Sequence, residues 1–274
     1  MRIFPRNHLH PFLVGLLLLA TSALAQPINP RGNLRLLGGV GLSYYDGDLR
    51  SGRFSQFRFR PNLSLGLSYR LSDYLSLRGE VGAYRLAGSD VGGKNPQRNL
   101  SFRTDNPEGF LALSANLLPY SDLPTYNAYA FSGLGLTRLN PKAAMNGRYY
   151  SLPRLQTEGV AYARTVPMLP LGVGVMRALT EQLSVGLEIR YTYVFSDYLD
   201  DVSTVYPQPN AIDSFAAIFS DRSPELGLPP NAPGVQRGNP GNRDSHYFIQ
   251  ARVEYALNGS RKAARRKMLR CPKL

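Results

Sequence analysis

The chain has 274 residues, a net charge of +13, one Cys and no Trp. That is enough for one large domain or two small ones, and a single thiol excludes an intramolecular disulfide. The charge is uneven: Arg2 and Arg6 lie in the first 25 residues and seven bases in the last fifteen, so the stretch between carries only +4. A basic excess confined to the ends gives no support to a nucleic-acid-binding body.

In chain order, Arg2 and Arg6 precede an apolar run over 12–20 and a small-x-small site at Ala23, Leu24 and Ala25. This reads as a secretory signal peptide over residues 1–25. The run is too short for a membrane-spanning helix, which needs about 20 residues. No Cys follows the cleavage point, so a lipoprotein anchor is not expected, and no other long apolar run follows. An exported chain of this kind can still cross a membrane with strands, which hide their apolar face in alternate residues.

Alternation of period two recurs eight times. The stretches are 34–45, 62–71, 75–86, 110–118, 128–138, 166–178, 183–196 and 246–257. In the seventh, Leu183, Val185, Leu187, Ile189, Tyr191, Tyr193 and Phe195 alternate with Ser184, Gly186, Glu188, Arg190, Thr192 and Ser196. The fifth alternates weakly, and Gly and Pro interrupt the sixth. Connections after the second, fourth and sixth stretches are short. Those after the first, third, fifth and seventh span roughly 46–61, 87–109, 139–165 and 197–245. Short turns alternating with long loops are the pattern of an outer-membrane barrel. The expected fold is therefore all-β: an eight-stranded antiparallel transmembrane β-barrel over 26–258, in contact with outer-membrane lipid. Its even strand count places a C-terminal tail, 259–274, in the periplasm.

Parity also assigns the interior. Arg78, Glu80, Glu188, Arg190, Arg252 and Glu254 all lie on polar faces, where they can pair inside a barrel only wide enough for its own side chains. This predicts a salt-bridged, filled lumen and disfavours a channel. With no Trp, an interfacial belt falls to Tyr44, Tyr69, Tyr191, Tyr193, Tyr247 and Tyr255 on the outward parity. Within the Pro- and Gly-rich 197–245 loop, Ile212, Phe215, Ala216 and Phe219 have helical spacing. The loop reads either as a lid over the mouth or as a segment packed on its neighbours.

Catalytic chemistry is sparse. Once the leader is set aside, the one His is His246. Asp244, Ser245 and His246 are consecutive, and in a strand consecutive residues face alternate sides, so they cannot form a triad among themselves. No enzyme activity, cofactor or metal is expected. A lipid-modifying enzyme barrel and a small-molecule channel are the alternatives. Acids gather at the expected outer rim, Asp46 and Asp48 after the first stretch and Asp197, Asp200 and Asp201 after the seventh. Ca²⁺ takes such ligands, but no EF-hand spacing is present, and solvated or turn-forming carboxylates are the simpler reading. The tail holds Arg261, Lys262, Arg265, Arg266, Lys267, Arg270 and Lys273 beside Cys271. It reads as either a partner-binding segment or a solvated one.

Five strings are more specific: 44–49 (YYDGDL), 195–203 (FSDYLDDVS), 220–223 (SDRS), 237–240 (RGNP) and 270–273 (RCPK). They resemble a family of Bacteroidota outer-membrane barrels that includes PorG, the barrel component of the type IX secretion system. The resemblance runs over most of the chain after the leader. It implies an outer-membrane barrel and, for PorG-like members, association with a periplasmic secretion ring.

Overall fold

The computed structural model describes residues 34–50, 59–120, 124–180, 182–241 and 243–257. The expected leader and the basic tail lie outside them. Eight long strands form the wall: β1 (Leu34–Asp46), β2 (Arg60–Arg70), β3 (Leu75–Ser89), β4 (Ser101–Asn116), β5 (Tyr126–Arg138), β8 (Thr165–Ala178), β9 (Leu183–Val194) and β10 (Ser245–Ala256). Each pairs antiparallel with its chain neighbour in the wall, and β1 closes on β10 with Leu36 opposite Tyr255 and Val40 opposite Ala251. Closure leaves no unpaired strand edge, which a lipid environment requires. The result is a closed eight-stranded antiparallel barrel. Two further strands, β6 (Lys142–Met145) and β7 (Arg148–Ser151), form a hairpin in the loop between β5 and β8, joined to the end of β4 through the pair Arg103–Lys142.

The period-two pattern sets which face is which. Val40, Leu65, Val81, Leu111, Leu134, Val173, Leu187 and Ile249 are all exposed on the outer wall. Their in-strand neighbours Ser64, Glu80, Ala112, Glu188 and Gln250 are buried in the lumen. An apolar exterior around a polar interior inverts a soluble protein and suits a bilayer. The weak alternation of β5 has a cause in β8. A Cβ on Gly172 or Gly174 would collide with the Phe131 or Tyr129 ring, so these glycines let two inward β5 aromatics lie against the opposing strand.

The long connection after the third stretch departs from its expected span of 87–109. β3 runs on to Ser89 and β4 starts at Ser101, paired from Ser89–Ser101 through to Leu75–Ala115. The polar run around Asp105, Asn106 and Pro107 resembles a turn in sequence but lies within the strand. Pro107 is exposed on the outer face, where it sits opposite Ala83. The hairpin thus projects past the other strands and supports the loops at that end.

Those loops form a cap. Leu49, Leu100, Leu139, Leu199 and Val202 join Tyr45, Tyr84, Leu86, Phe102 and Phe248 from the strand ends in one buried apolar cluster. The helical spacing in the last long loop corresponds to α2 (Ser214–Ser220), which follows α1, a single turn at Leu152–Leu155. Asp213 caps α2 by accepting the Ala216 N–H at 2.7 Å. Its Phe219 packs with Ala143 and Leu152 of the preceding loop. The 139–165 and 197–245 loops therefore pack on each other as well as over the barrel end.

The outward assignment has a direct test. Val81→Arg, in the middle of the apolar band, should lower the folding free energy in phospholipid vesicles by about 2–4 kcal/mol. Val81→Ala should cost much less, both read by urea titration of heat-modifiable gel mobility.

Candidate functional site

The lumen is crossed by one ion-pair network. Arg78 on β3 reaches across to Glu188 on β9 at 2.9 Å and also pairs with Glu80. Arg252 on β10 grips Glu80 with two bonds, at 2.9 and 2.8 Å, and lies 3.7 Å from Glu188. The Tyr129 hydroxyl donates to Glu188 at 2.7 Å, and the Arg78 guanidinium lies 3.9 Å from the centre of the Phe131 ring. Two cations and two anions thus share one site with well-directed bonds, the condition under which buried charge is tolerable.

Of the six predicted lumen charges, the structure brings together these four: Arg78, Glu80, Glu188 and Arg252. The other two point inward to different partners. Arg190 pairs with Glu108 on β4 and lies 4.2 Å from the centre of the Phe248 ring. Glu254 accepts from Arg35 at 2.8 Å near the short-turn end. Glu108 is not apparent in the sequence because the run before 110, Asp105 to Gly109, has the composition of a turn. Carrying the alternation back through Phe102, Thr104 and Asn106, all buried, would have placed it inside. Arg35 was visible on the polar parity of the first stretch but had no assigned partner.

Below the network, a cavity of only about 60 Å³ opens among Arg35, Arg78, Ser114, Tyr129 and Glu254. Tyr120, from the turn between β4 and β5, stacks with the guanidinium groups of Arg35 and Arg70, 4.5 and 3.6 Å from its ring centre. Above the network, His246 is fully buried, stacked on Tyr84 with 4.6 Å between ring centres. Its Nε2 lies 4.0 Å from Glu108. Its sequence neighbours diverge: Ser245 donates to the Asp46 carbonyl at 3.3 Å, and Asp244 turns toward Tyr45.

The five rim acids do not converge on a single point. Asp46 pairs with Arg50 at 2.9 Å in an exposed contact. Asp48 accepts the Asn239 N–H at 2.5 Å. Asp201 is buried and accepts from Thr157 at 2.5 Å and Tyr162 at 2.6 Å. Among the described residues, no three His, Cys, Asp or Glu side chains are grouped to hold a metal ion.

Asp200 instead joins Asp244 across one phenol. The Tyr45 hydroxyl is 2.6 Å from Asp200 Oδ2 and 2.8 Å from Asp244 Oδ1. That hydroxyl has one proton and can donate to one carboxylate. The other contact is a hydrogen bond only if that carboxyl is protonated and donates back. Burial first, and the neighbouring carboxylates after it, hold Asp200 and Asp244 well above the usual carboxylate range. Burial also pushes Asp197 up to about 7, against a pull from Ser203, and Asp201 to about 6, against Arg237. Two arginines tie the cap together. Arg98 grips Asp90 at 2.9 and 2.7 Å and donates to the backbone carbonyls of Asp48 and Arg237. Arg237 donates to Glu158 at 2.8 Å and to the carbonyls of Ser220 and Asp201.

Residues 12–210 match the model of the outer membrane protein beta-barrel domain family. The chain belongs to that family of bacterial outer-membrane barrels. No curated protein matches it by sequence. Among solved structures, it is similar to Neisserial surface protein A (10% identity, 82% of this chain and 97% of that one, TM-score 0.44). It is also similar to OprG from Pseudomonas aeruginosa (12%, 82% and 97%, 0.43). A third is Ail of Yersinia pestis, in complex with the heparin analogue sucrose octasulfate (11%, 82% and 99%, 0.38). At these identities and scores they lend this chain neither a ligand nor a role.

Two expectations follow from the lumen and the cap. Glu80→Leu leaves two buried arginines, Arg78 and Arg252, to share Glu188 alone and should cost about 3–5 kcal/mol, measured by urea unfolding in vesicles. The raised acids give the cap the opposite pH dependence from an ordinary salt-bridged carboxylate. Such groups bind protons more tightly folded than unfolded, so their contribution is fullest below about pH 4 and is lost as pH rises through about 6 to 7. Hydrogen exchange over 197–204, corrected for intrinsic rate, should quicken between about pH 5.5 and 8, and Asp197→Asn should flatten that rise.

Proposed function

We propose that this chain is a non-conducting, non-enzymatic outer-membrane barrel that docks a periplasmic partner, as an accessory of type IX protein secretion in a Bacteroidota envelope. The observation that carries the non-conducting part is the Arg78–Glu80–Glu188–Arg252 network across the lumen, together with the cap above it. A barrel filled from wall to wall acts through what it displays at its two ends.

The docking part rests on sequence. The strings at 195–203 and 270–273 resemble the PorG-containing family. The last fifteen residues carry seven bases, no acid and Cys271. An even number of strands brings that tail to the side of the short turns, where a periplasmic ring would meet it. Basic side chains there suit a partner with an acidic face. The lipid-modifying alternative needs a nucleophile within reach of His246. The groups packed on its imidazole are Tyr84, Phe248 and the carboxylate of Glu108, which favours the non-enzymatic reading.

The test is affinity purification from gently solubilised native envelopes. Full-length protein and a version ending at Asn258 are compared by mass spectrometry. The proposal expects periplasmic secretion-ring proteins with the intact chain and their loss with the truncation. Equal recovery from both would move docking away from the tail, and recovery from neither would remove the secretion role.

A further inference from the structure

The cap holds a second cavity, unrelated to the lumen. A cleft of about 680 Å³ lies between the β3–β4 loop and the latter part of the 197–245 loop. Its size falls within the usual range for small-ligand sites. It opens at the long-loop end of the barrel, away from the short turns that face the periplasm. Its walls are fixed to each other: the Asn99 side-chain amide donates to the Arg222 carbonyl and to Glu225, both at 3.1 Å, and Arg98 spans from Asp90 to the Arg237 carbonyl.

The chemistry of the lining is specific. Arg98 and Arg237 contribute to the walls, but their guanidinium groups are buried and committed to Asp90, Glu158 and backbone carbonyls. Asp48 is engaged by the Asn239 N–H. What the cleft presents is mainly carboxamide: Asn95, Gln97, Asn231, Gln236 and Asn239. Several of these are held in one orientation with bonding capacity left over. Asn231 spends its N–H groups on Asp221 at 3.0 Å and Ser223 at 3.1 Å, leaving its own oxygen. Gln236 donates to the Gly238 carbonyl at 2.9 Å, also leaving its oxygen. Asn239 accepts from Gly241 N at 3.2 Å, leaving its amide hydrogens. Pro96, Leu228 and Pro229 add small apolar surfaces, and Lys94 is exposed at the edge.

We infer that this cleft binds a short, predominantly neutral oligosaccharide. A carboxamide offers two donors and two acceptor sites, the complement of neighbouring sugar hydroxyls that each donate and accept. Pyrrolidine and leucine surfaces suit the C–H faces of a pyranose ring. A polyanion finds the two wall arginines already neutralised, and an apolar ligand finds too little apolar wall. The cleft is prebuilt, so little ordering cost opposes binding. Sugars of the cell's own outer leaflet and sugars met in the medium share this chemistry.

The experiment uses the full-length protein, purified in detergent and applied to a printed array of neutral, sialylated and sulfated glycans, with oligosaccharides released from the native envelope on the same slide. The comparison is Asn95→Ala/Gln97→Ala/Gln236→Ala, which changes only cleft-lining amides. Heat-modifiable mobility confirms that this variant is folded. The inference expects retention of neutral glycans, weakened about tenfold or more in the variant; signal on the released envelope sugars points to the cell's own surface. No neutral glycan held above the variant's level overturns it. So does binding confined to sulfated or sialylated glycans that vanishes with added salt.

Discussion

Charge in this molecule has few places to go other than the lumen and the two ends. A closed barrel in hydrocarbon must satisfy its backbone internally and present apolar side chains outward, so the alternate residues of every strand are turned into a space only a few side chains wide. Arg78, Glu80, Glu188 and Arg252 meet there because β3 faces the adjacent pair β9 and β10 across that space. Each carboxylate is held by both arginines. Glu108 with Arg190 and Glu254 with Arg35 continue the pattern toward the two ends. Hydrophobic contact with lipid fixes which way the strands face, and ion pairing is what that orientation requires of the interior.

The cap follows a different logic. It is assembled from loops, yet it has an apolar core of its own; Arg98 reaches the Arg237 carbonyl 139 residues away, and Arg237 ties the Ser220 and Asp201 carbonyls within its own loop. Asp90 and Glu158 are paired with those arginines, whereas Asp200 and Asp244 meet across the Tyr45 hydroxyl with a proton to share. The barrel is thereby rigid and filled where it crosses the membrane, and elaborated where it meets the outside. On that division, the proposed docking and sugar-binding roles sit at opposite ends of an inert post.

Much of the wall was legible because period-two alternation is strong wherever one face meets lipid. The long alternating run over β9 needed no structure to be read. The beginning of β4 was not legible, since Asp105, Asn106 and Pro107 carry the composition of a turn while occupying a strand. Which acid meets which base was legible in parity but not in partner. Arg190 and Glu108 lie 82 residues apart, and their meeting depends on strand tilt and stagger around the closed sheet. The cap acids illustrate the limit most plainly. In sequence, Asp200 and Asp201 look like part of a solvated rim, because nothing local signals that Tyr45 will cover the first and Tyr162 and Arg237 the second.

The central claim is that the lumen is filled and closed. Its most direct test is electrical: full-length protein inserted into a planar lipid bilayer, with current recorded across a range of voltages. Insertion without discrete current steps above the bare bilayer is the expected result. Stable, protein-dependent open-channel steps would contradict the account, because ions would then be passing where the Arg78–Glu188 bridge stands.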